Sequence, residues 1–144
     1  MGKVSIVYWS GTGNTEAMAA AMAEGAKDAG AEVELLTVDK ADVAALSEAK
    51  AFALGCPAMG AEVLEEGEME PFMAELDSQI AGKTIALFGS YGWGGGEWMR
   101  DWESRVVADG AAVLSGEGII ADNAPDDDVL AECRAAGAKL AALV

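Results

Sequence analysis

Apolar runs rich in β-branched and aromatic residues alternate with helix-forming stretches along the chain. Lys3 to Trp9 (KVSIVYW) predicts a short strand that ends abruptly in Ser10-Gly11-Thr12-Gly13. Helix formers fill Asn14 to Ala29, with Met18 and Met22 on one face, and Gly30 stops the helix. Glu32 to Val38 predicts a second strand, Asp42 to Ala49 a weaker helix, and Ala51 to Cys56 a third strand. Pro57 to Gly67 reads as a loop and Glu68 to Ile80 as a helix. Lys83 to Ser90 is the fourth strand, running into a glycine-rich loop, and Glu97 to Asp109 the next helix. Ala112 to Leu114 and Gly118 to Ala121 form a broken fifth strand, followed by a last helix over Pro125 to Leu143.

Regular strand–helix alternation with near-continuous apolar strands predicts an α/β fold whose parallel sheet is covered on both faces. Ligands of such sheets bind outside the carboxyl ends of the strands, where the strand order reverses. The loops after the first, third and fourth strands are therefore the ones to inspect. No repeat, linker or low-complexity segment interrupts the pattern, so residues 1–144 read as one domain.

Charge and composition then narrow the chemistry. Nine Lys and Arg against 25 Asp and Glu give a formal net charge of -16. That balance speaks against nucleic acid and anionic membrane surfaces, both of which need clustered basic residues. It favours basic partners, approached at rates that fall as salt rises. The chain has no histidine, which removes His-based nucleophile systems and His metal sites. Cys56 and Cys133 form no metal or redox spacing, and so few thiols indicate a reducing compartment. The N-terminus carries no signal-peptide pattern and no apolar run approaches a membrane span, so a cytoplasmic protein is expected.

The first loop is Ser10-Gly11-Thr12-Gly13-Asn14-Thr15, leading from a strand into a helix. Helix N-terminal amides carry partial positive charge and make an anion site. Here Ser10, Thr12, Asn14 and Thr15 add side-chain donors, more than the single cap that Asn14 or Thr12 would provide. No Lys follows Gly13, as a triphosphate loop requires, and Glu16 stands where a dinucleotide fingerprint wants a third glycine. Neutral donors alone suit one phosphate monoester.

The loop after the fourth strand, Ser90-Tyr91-Gly92-Trp93-Gly94-Gly95-Gly96, presents a large flat ring between glycines. Such a ring is suited to stacking on another ring. Trp98 and Trp102, one helical turn apart, read as core or interface residues, while Trp9 is compatible with either role. In the middle loop, Cys56-Pro57-Ala58-Met59-Gly60-Ala61-Glu62, Met59 offers a polarisable thioether and Gly60 permits a turn with positive φ. Glu62 is a candidate acceptor for a ligand hydrogen bond, and Glu65, Glu66, Glu68 and Glu70 read as a solvated rim. Asp126-Asp127-Asp128 reads as a helix start rather than a metal site.

A monophosphate cradle beside a Trp and a Met able to bracket a flat ring points to a flavin mononucleotide. With these motifs together, the whole chain resembles the flavodoxin family, in particular its short-chain members from anaerobic bacteria. The resemblance implies a three-layer sandwich with a five-stranded parallel sheet in order 2-1-3-4-5, helices on both faces, and FMN at the strand ends. It also implies a low-potential electron carrier without substrate turnover, cycling between semiquinone and hydroquinone and serving basic-surfaced redox proteins as a monomer.

Residue by residue, the resemblance makes Ser10, Gly11, Thr12, Gly13, Asn14 and Thr15 the phosphate loop. Trp93 and Met59 become the two faces of the flavin site, and Glu62 the acceptor from flavin N3–H. Gly60 becomes the glycine whose carbonyl turns toward flavin N5 on reduction. Ser90, Tyr91, Gly92 and Gly94 run along the ribityl chain and pyrimidine edge, Asn123 is a polar contact near the fifth strand, and Pro57, Ala58 and Ala61 complete the set. Pro57 lacks a hydroxyl that some members carry, and Ala61 and Gly95 stand where relatives often have acidic or polar residues. The runner-up is an FMN-dependent quinone or nitro reductase on the same fold. A phosphoacceptor receiver domain is discarded, because Trp9-Ser10 and Gly55-Cys56 occupy the places where it needs acids. A low-molecular-weight phosphatase is discarded because nothing basic follows Cys56 before Lys83.

Overall fold

Strands and helices form where the apolar periodicity puts them, and the computed structural model describes residues 2–144. In chain order the elements are β1 (Lys3–Tyr8), α1 (Asn14–Asp28), β2 (Glu32–Thr37), α2 (Val43–Glu48), β3 (Ala51–Gly55) and α3 (Met69–Leu76). β4 (Thr84–Tyr91), α4 (Glu97–Ala108), β5 (Ala112–Val113), β6 (Ile119–Asp122) and α5 (Asp127–Leu143) complete the chain. The sheet is parallel in the order β2-β1-β3-β4-β5. β6 also pairs with β4, further along its length, so β5 and β6 are two halves of one interrupted strand. Between them lies a 3₁₀ turn, Leu114–Gly116, in which Ser115 takes φ 63°.

Strand residues of opposite parity feed two separate cores. Val4, Ile6, Ala53, Ala86 and Phe88 join Met18, Met22, Cys133 and Leu140 beneath α1 and α5. Val7, Phe52, Leu54, Ile85 and Leu87 join Met69, Met73, Trp98 and Trp102 on the other face, so both tryptophans are core residues as expected. The α1/α5 side is built from small residues, and there the two helices approach closely: a Cβ on Gly25 would overlap the backbone of Arg134, and one on Gly137 the carbonyl of Met22.

Helix starts follow two rules. α2 and α5 carry their own caps: Asp42 accepts from the Ala44 amide at 3.0 Å and Asp126 from the Val129 amide at 2.9 Å. α1 and α4 instead begin on glycines in the left-handed region, Gly13 (φ 96°) and Gly96 (φ 86°), which have no side chain to cap with. Both of those helices start beside the carboxyl edge of the sheet.

Near the end of α4, Arg105 forks onto Asp77 just past α3, Nε to Oδ1 at 3.1 Å and Nη2 to Oδ2 at 2.8 Å, and also reaches Glu70 in the first turn of α3 at 2.8 Å. Asp109 faces this group with its Oδ2 buried and lacking a donor. Burial, then a proton shared with Asp77 and repulsion from it, raise the Asp109 carboxyl from the usual 3.8 to about 6, against the pull of Arg105. Asp77 moves down: burial pushes it up, but the Arg105 and Asp109 hydrogen bonds outweigh that.

A carboxyl raised on folding stabilises fully below its unfolded value, and that contribution disappears as pH rises through its folded value. Asp109→Asn is therefore expected to stabilise the protein at pH 7 by about 1 kcal/mol, after discounting for partial exposure. The gain should vanish by pH 4. Thermal melts of both proteins across pH 4–8 check this, and equal pH slopes would refute it.

Candidate functional site

The carboxyl ends of β1, β3 and β4 open into a cleft of about 310 Å³. That lies in the range of small-molecule sites, about 300–1,000 Å³. A larger depression, about 430 Å³, lies between α4 and the β6 side, but Arg100, Glu103, Glu117 and Glu132 line it and no exposed ring faces it. The cleft at the strand ends differs in chemistry, with aromatic and thioether walls and a floor of neutral donors.

One wall is the turn after β1. Gly11, Thr12 and Asn14 face the cleft. Ser10 sits behind them, and its Oγ accepts from the Gly13 amide at 3.1 Å and the Glu16 amide at 3.4 Å. These are amides of the α1 N-terminus, so a hydroxyl oxygen takes one acceptor position among the donors that the helix start leaves free. Thr15 is buried. Its Oγ1 lies 3.4 Å from Ser90 Oγ and accepts from the Ser90 amide at 3.4 Å, tying the start of α1 to β4. Among the described residues, no Lys or Arg lines the cleft.

The opposite wall is the glycine loop after β4. Ser90, Tyr91, Gly92, Trp93 and Asn123 line it. Tyr91 packs at 5.5 Å and 47° against Trp98, whose indole donates to the Cys56 carbonyl at 2.9 Å. Asn123 takes φ 60°, a conformation Asn tolerates better than most residues, and its amide donates to the Tyr91 carbonyl at 2.7 Å. Trp93 is 51% exposed, and its indole donates to the Gly60 carbonyl at 3.2 Å.

Between the walls, Pro57, Ala58 and Met59 line the cleft. Met59 and Val63 exchange two backbone hydrogen bonds at 2.9 Å, closing a small hairpin over Gly60, Ala61 and Glu62. Gly60 (φ 51°) and Glu62 (φ 58°) take the left-handed region, and Ala61 between them does not. Gly60, Ala61, Glu62 and Gly94 flank the lining without belonging to it, as do Ser10, Gly13 and Thr15.

Trp9, which fits either role from sequence, both packs on the core and lines the cleft. Its indole donates to Glu68 Oε1 at 3.1 Å. Its place as the last residue before the Ser10–Gly13 turn was the available signal.

The solvated rim needs correcting, since most of its acids hold the local structure. Glu65 accepts from the Gly67, Glu68 and Met69 amides at 2.7, 2.7 and 3.0 Å, capping α3 from outside. Burial pushes its carboxyl up, but these three donors outweigh it and hold the group below the usual range. Glu68 orients Trp9 and Glu70 binds Arg105, leaving Glu66 free on the surface. The Cys56 thiol is buried, which pushes it up to about 12 and makes it no nucleophile at neutral pH.

Comparison with known proteins gives a consistent result. The family model described as flavodoxin matches residues 6–137. A flavodoxin of Clostridium beijerinckii is 48% identical over 86% of this chain and 89% of its own length. One of Megasphaera elsdenii is 47% identical over 92% of this chain and 98% of its own. The solution structure of the two-electron reduced Megasphaera elsdenii flavodoxin superimposes with a TM-score of 0.86, covering 94% of this chain and 98% of that one.

Proposed function

The chain belongs to the flavodoxin family, and from that membership we propose a low-potential electron carrier, one domain over residues 1–144, that holds FMN in the cleft at the strand ends. It is an electron-transfer protein rather than an enzyme. The reductase alternative is set aside, because the chain spans 89% and 98% of relatives that are themselves flavodoxins.

The observation that carries the cofactor assignment is the meeting of two chemistries in one cleft. Uncharged donors cluster at the α1 N-terminus, and the Trp93 and Met59 side chains line the same opening. The amides of Gly13 and Glu16, with Ser10, Gly11, Thr12, Asn14 and Thr15, would hold the phosphate. Ser10 Oγ already fills an acceptor position there, so the amides are aimed correctly for an anionic oxygen. Trp93 and Met59 would cover the two ring faces. Gly60, Ala61 and Glu62 would border the ring edge, with Ser90, Tyr91, Gly92, Gly94, Asn123, Pro57 and Ala58 around the ribityl chain and pyrimidine end.

When bound, FMN supplies the one-electron chemistry, and the protein sets its energy. Apolar walls exclude water and lower the local dielectric, which strengthens every charge interaction. A net charge of -16 without a nearby cation then opposes added negative charge in the cleft. Both features favour a strong reductant. Binding titrations test the assignment directly. FMN should bind one to one, and riboflavin, which lacks the phosphate, about 100-fold more weakly, a loss on the order of 3 kcal/mol. Equal affinity for both would refute the phosphate assignment.

We further propose a monomer of the cytoplasm that docks basic-surfaced redox proteins; among the described residues no helix is long and apolar enough to cross a membrane. Exposed Trp93 lines the cleft and exposed Val63 pairs with Met59 beside it, on a chain of net charge -16, so a partner would meet a small apolar spot in a negative field. Electron transfer to a basic partner is expected to slow on the order of tenfold as salt rises from 0.01 M to 1 M. Stopped-flow rates across that range check this, and a salt-independent rate would remove electrostatic docking.

A further inference from the structure

The hairpin over Gly60–Glu62 and the glycine loop after β4 are distant in sequence, yet side chains join them twice. Trp93 reaches back to the Gly60 carbonyl at 3.2 Å, and Glu62 reaches forward so that its Oε1 accepts from the Glu97 amide at 2.9 Å. Glu97 is the first residue of α4, which starts on Gly96 and cannot cap itself. Glu62 therefore supplies the missing cap from 35 residues earlier. A carboxylate at a helix N-terminus gains both a charge-assisted hydrogen bond and the favourable end of the helix dipole.

Two further features fit this contact. Glu62 holds φ 58°, which costs a non-glycine residue free energy and persists only where the surroundings enforce it. Gly94 (φ 76°) lies so close that a Cβ there would overlap the Glu62 carboxyl group. The loop lacks a side chain at the point where the carboxylate passes. On the outer side, Arg100 donates to the Gly95 carbonyl at 2.9 Å and pairs with Glu97 at 2.7 Å, so the loop is pinned from both flanks.

We propose that Glu62 is a positioning residue: its carboxylate latches the hairpin to the N-terminus of α4, and this holds Trp93 in place over the cleft. The latch makes the two walls beside Met59 and Trp93 move together. Its consequence for FMN rests on the cofactor assignment above, but the latch itself does not.

The test uses FMN-loaded protein and two readouts, hydrogen exchange of the Glu97 amide by NMR and the dissociation constant for FMN. Glu62→Ala should speed Glu97 exchange about 10-fold or more and weaken FMN about 10-fold. Glu62→Gln, which keeps an acceptor oxygen, should restore much of the protection. Gly94→Ala should displace the carboxylate and speed the same amide while Glu62 is still present. Combined with Glu62→Ala it should speed the amide less than it does alone, because only the strain of alanine at φ 76° remains once the carboxylate is gone. Unchanged Glu97 exchange in Glu62→Ala overturns the latch even if FMN binding falls, since Glu62 would then act on the cofactor alone. Independent, multiplying effects of the two substitutions overturn it as well. A chain that binds no FMN would refute the cofactor assignment and leave the exchange result to decide the latch.

Discussion

Gly137→Ala is expected to destabilise the protein by about 1–3 kcal/mol, the usual cost of overpacking. On helix propensity alone the sign would be opposite, since alanine is favoured over glycine by about 1 kcal/mol in a helix interior. Packing decides the sign. A Cβ at Gly137 would overlap the Met22 carbonyl and crowd the Ala26 amide at 2.8 Å, and both are backbone atoms that cannot rotate away. α1 and α5 must separate, opening the core around Met22, Cys133 and Leu140. Gly25→Ala should act alike against Arg134, and the double variant should lose less than the sum because one separation relieves both contacts. Urea and thermal melts measure this. A gain of stability in Gly137→Ala would show that the helices do not approach as described.

Trp93→Ala is expected to weaken FMN binding by about 30–100-fold while leaving the fold intact. The ring is 51% exposed and lies outside both cores, so its removal costs little stability. Stacking contributes about 0.5–1.5 kcal/mol beyond area, and loss of apolar cover brings the total to about 2–3 kcal/mol. Trp93→Phe keeps a ring but loses the hydrogen bond to the Gly60 carbonyl, and should fall between the two. Fluorescence titration of FMN reports affinity and quenching together. Unchanged affinity and quenching in Trp93→Ala would overturn the stacking assignment.

Much of the fold was legible because its signals are local. Runs of apolar and β-branched residues marked each strand, including a break in the fifth, which the structure places at Leu114–Gly116. Element ends shifted by a residue or two, as at Asp126 before α5, and α3 ends at Leu76, four residues short of Ile80, where the chain tightens into a 3₁₀ turn over Asp77–Gln79. The three site loops were legible for the same reason, each following a strand at the carboxyl edge. Which side chains enter the cleft was not. Thr15 reads as a donor among its neighbours, and its hydroxyl also lies against Ser90, 75 positions away, a contact that no local pattern gives. Glu65 and Glu68 read as solvated acids, yet one caps α3 and the other holds Trp9 from 59 positions away.

The sequence by itself determined the layered α/β class, the acidic surface, and a phosphate-friendly turn without a cation, since each follows from residue type and spacing along a single segment. Tertiary structure decided how the segments serve one another. It turned two helical glycines, locally a weakness, into points of close approach between α1 and α5, and gave α4 its cap from Glu62 in the facing hairpin. The physical reason is that such pairings depend on backbone distance and side-chain direction after the sheet has formed. Periodicity along one segment carries no record of either.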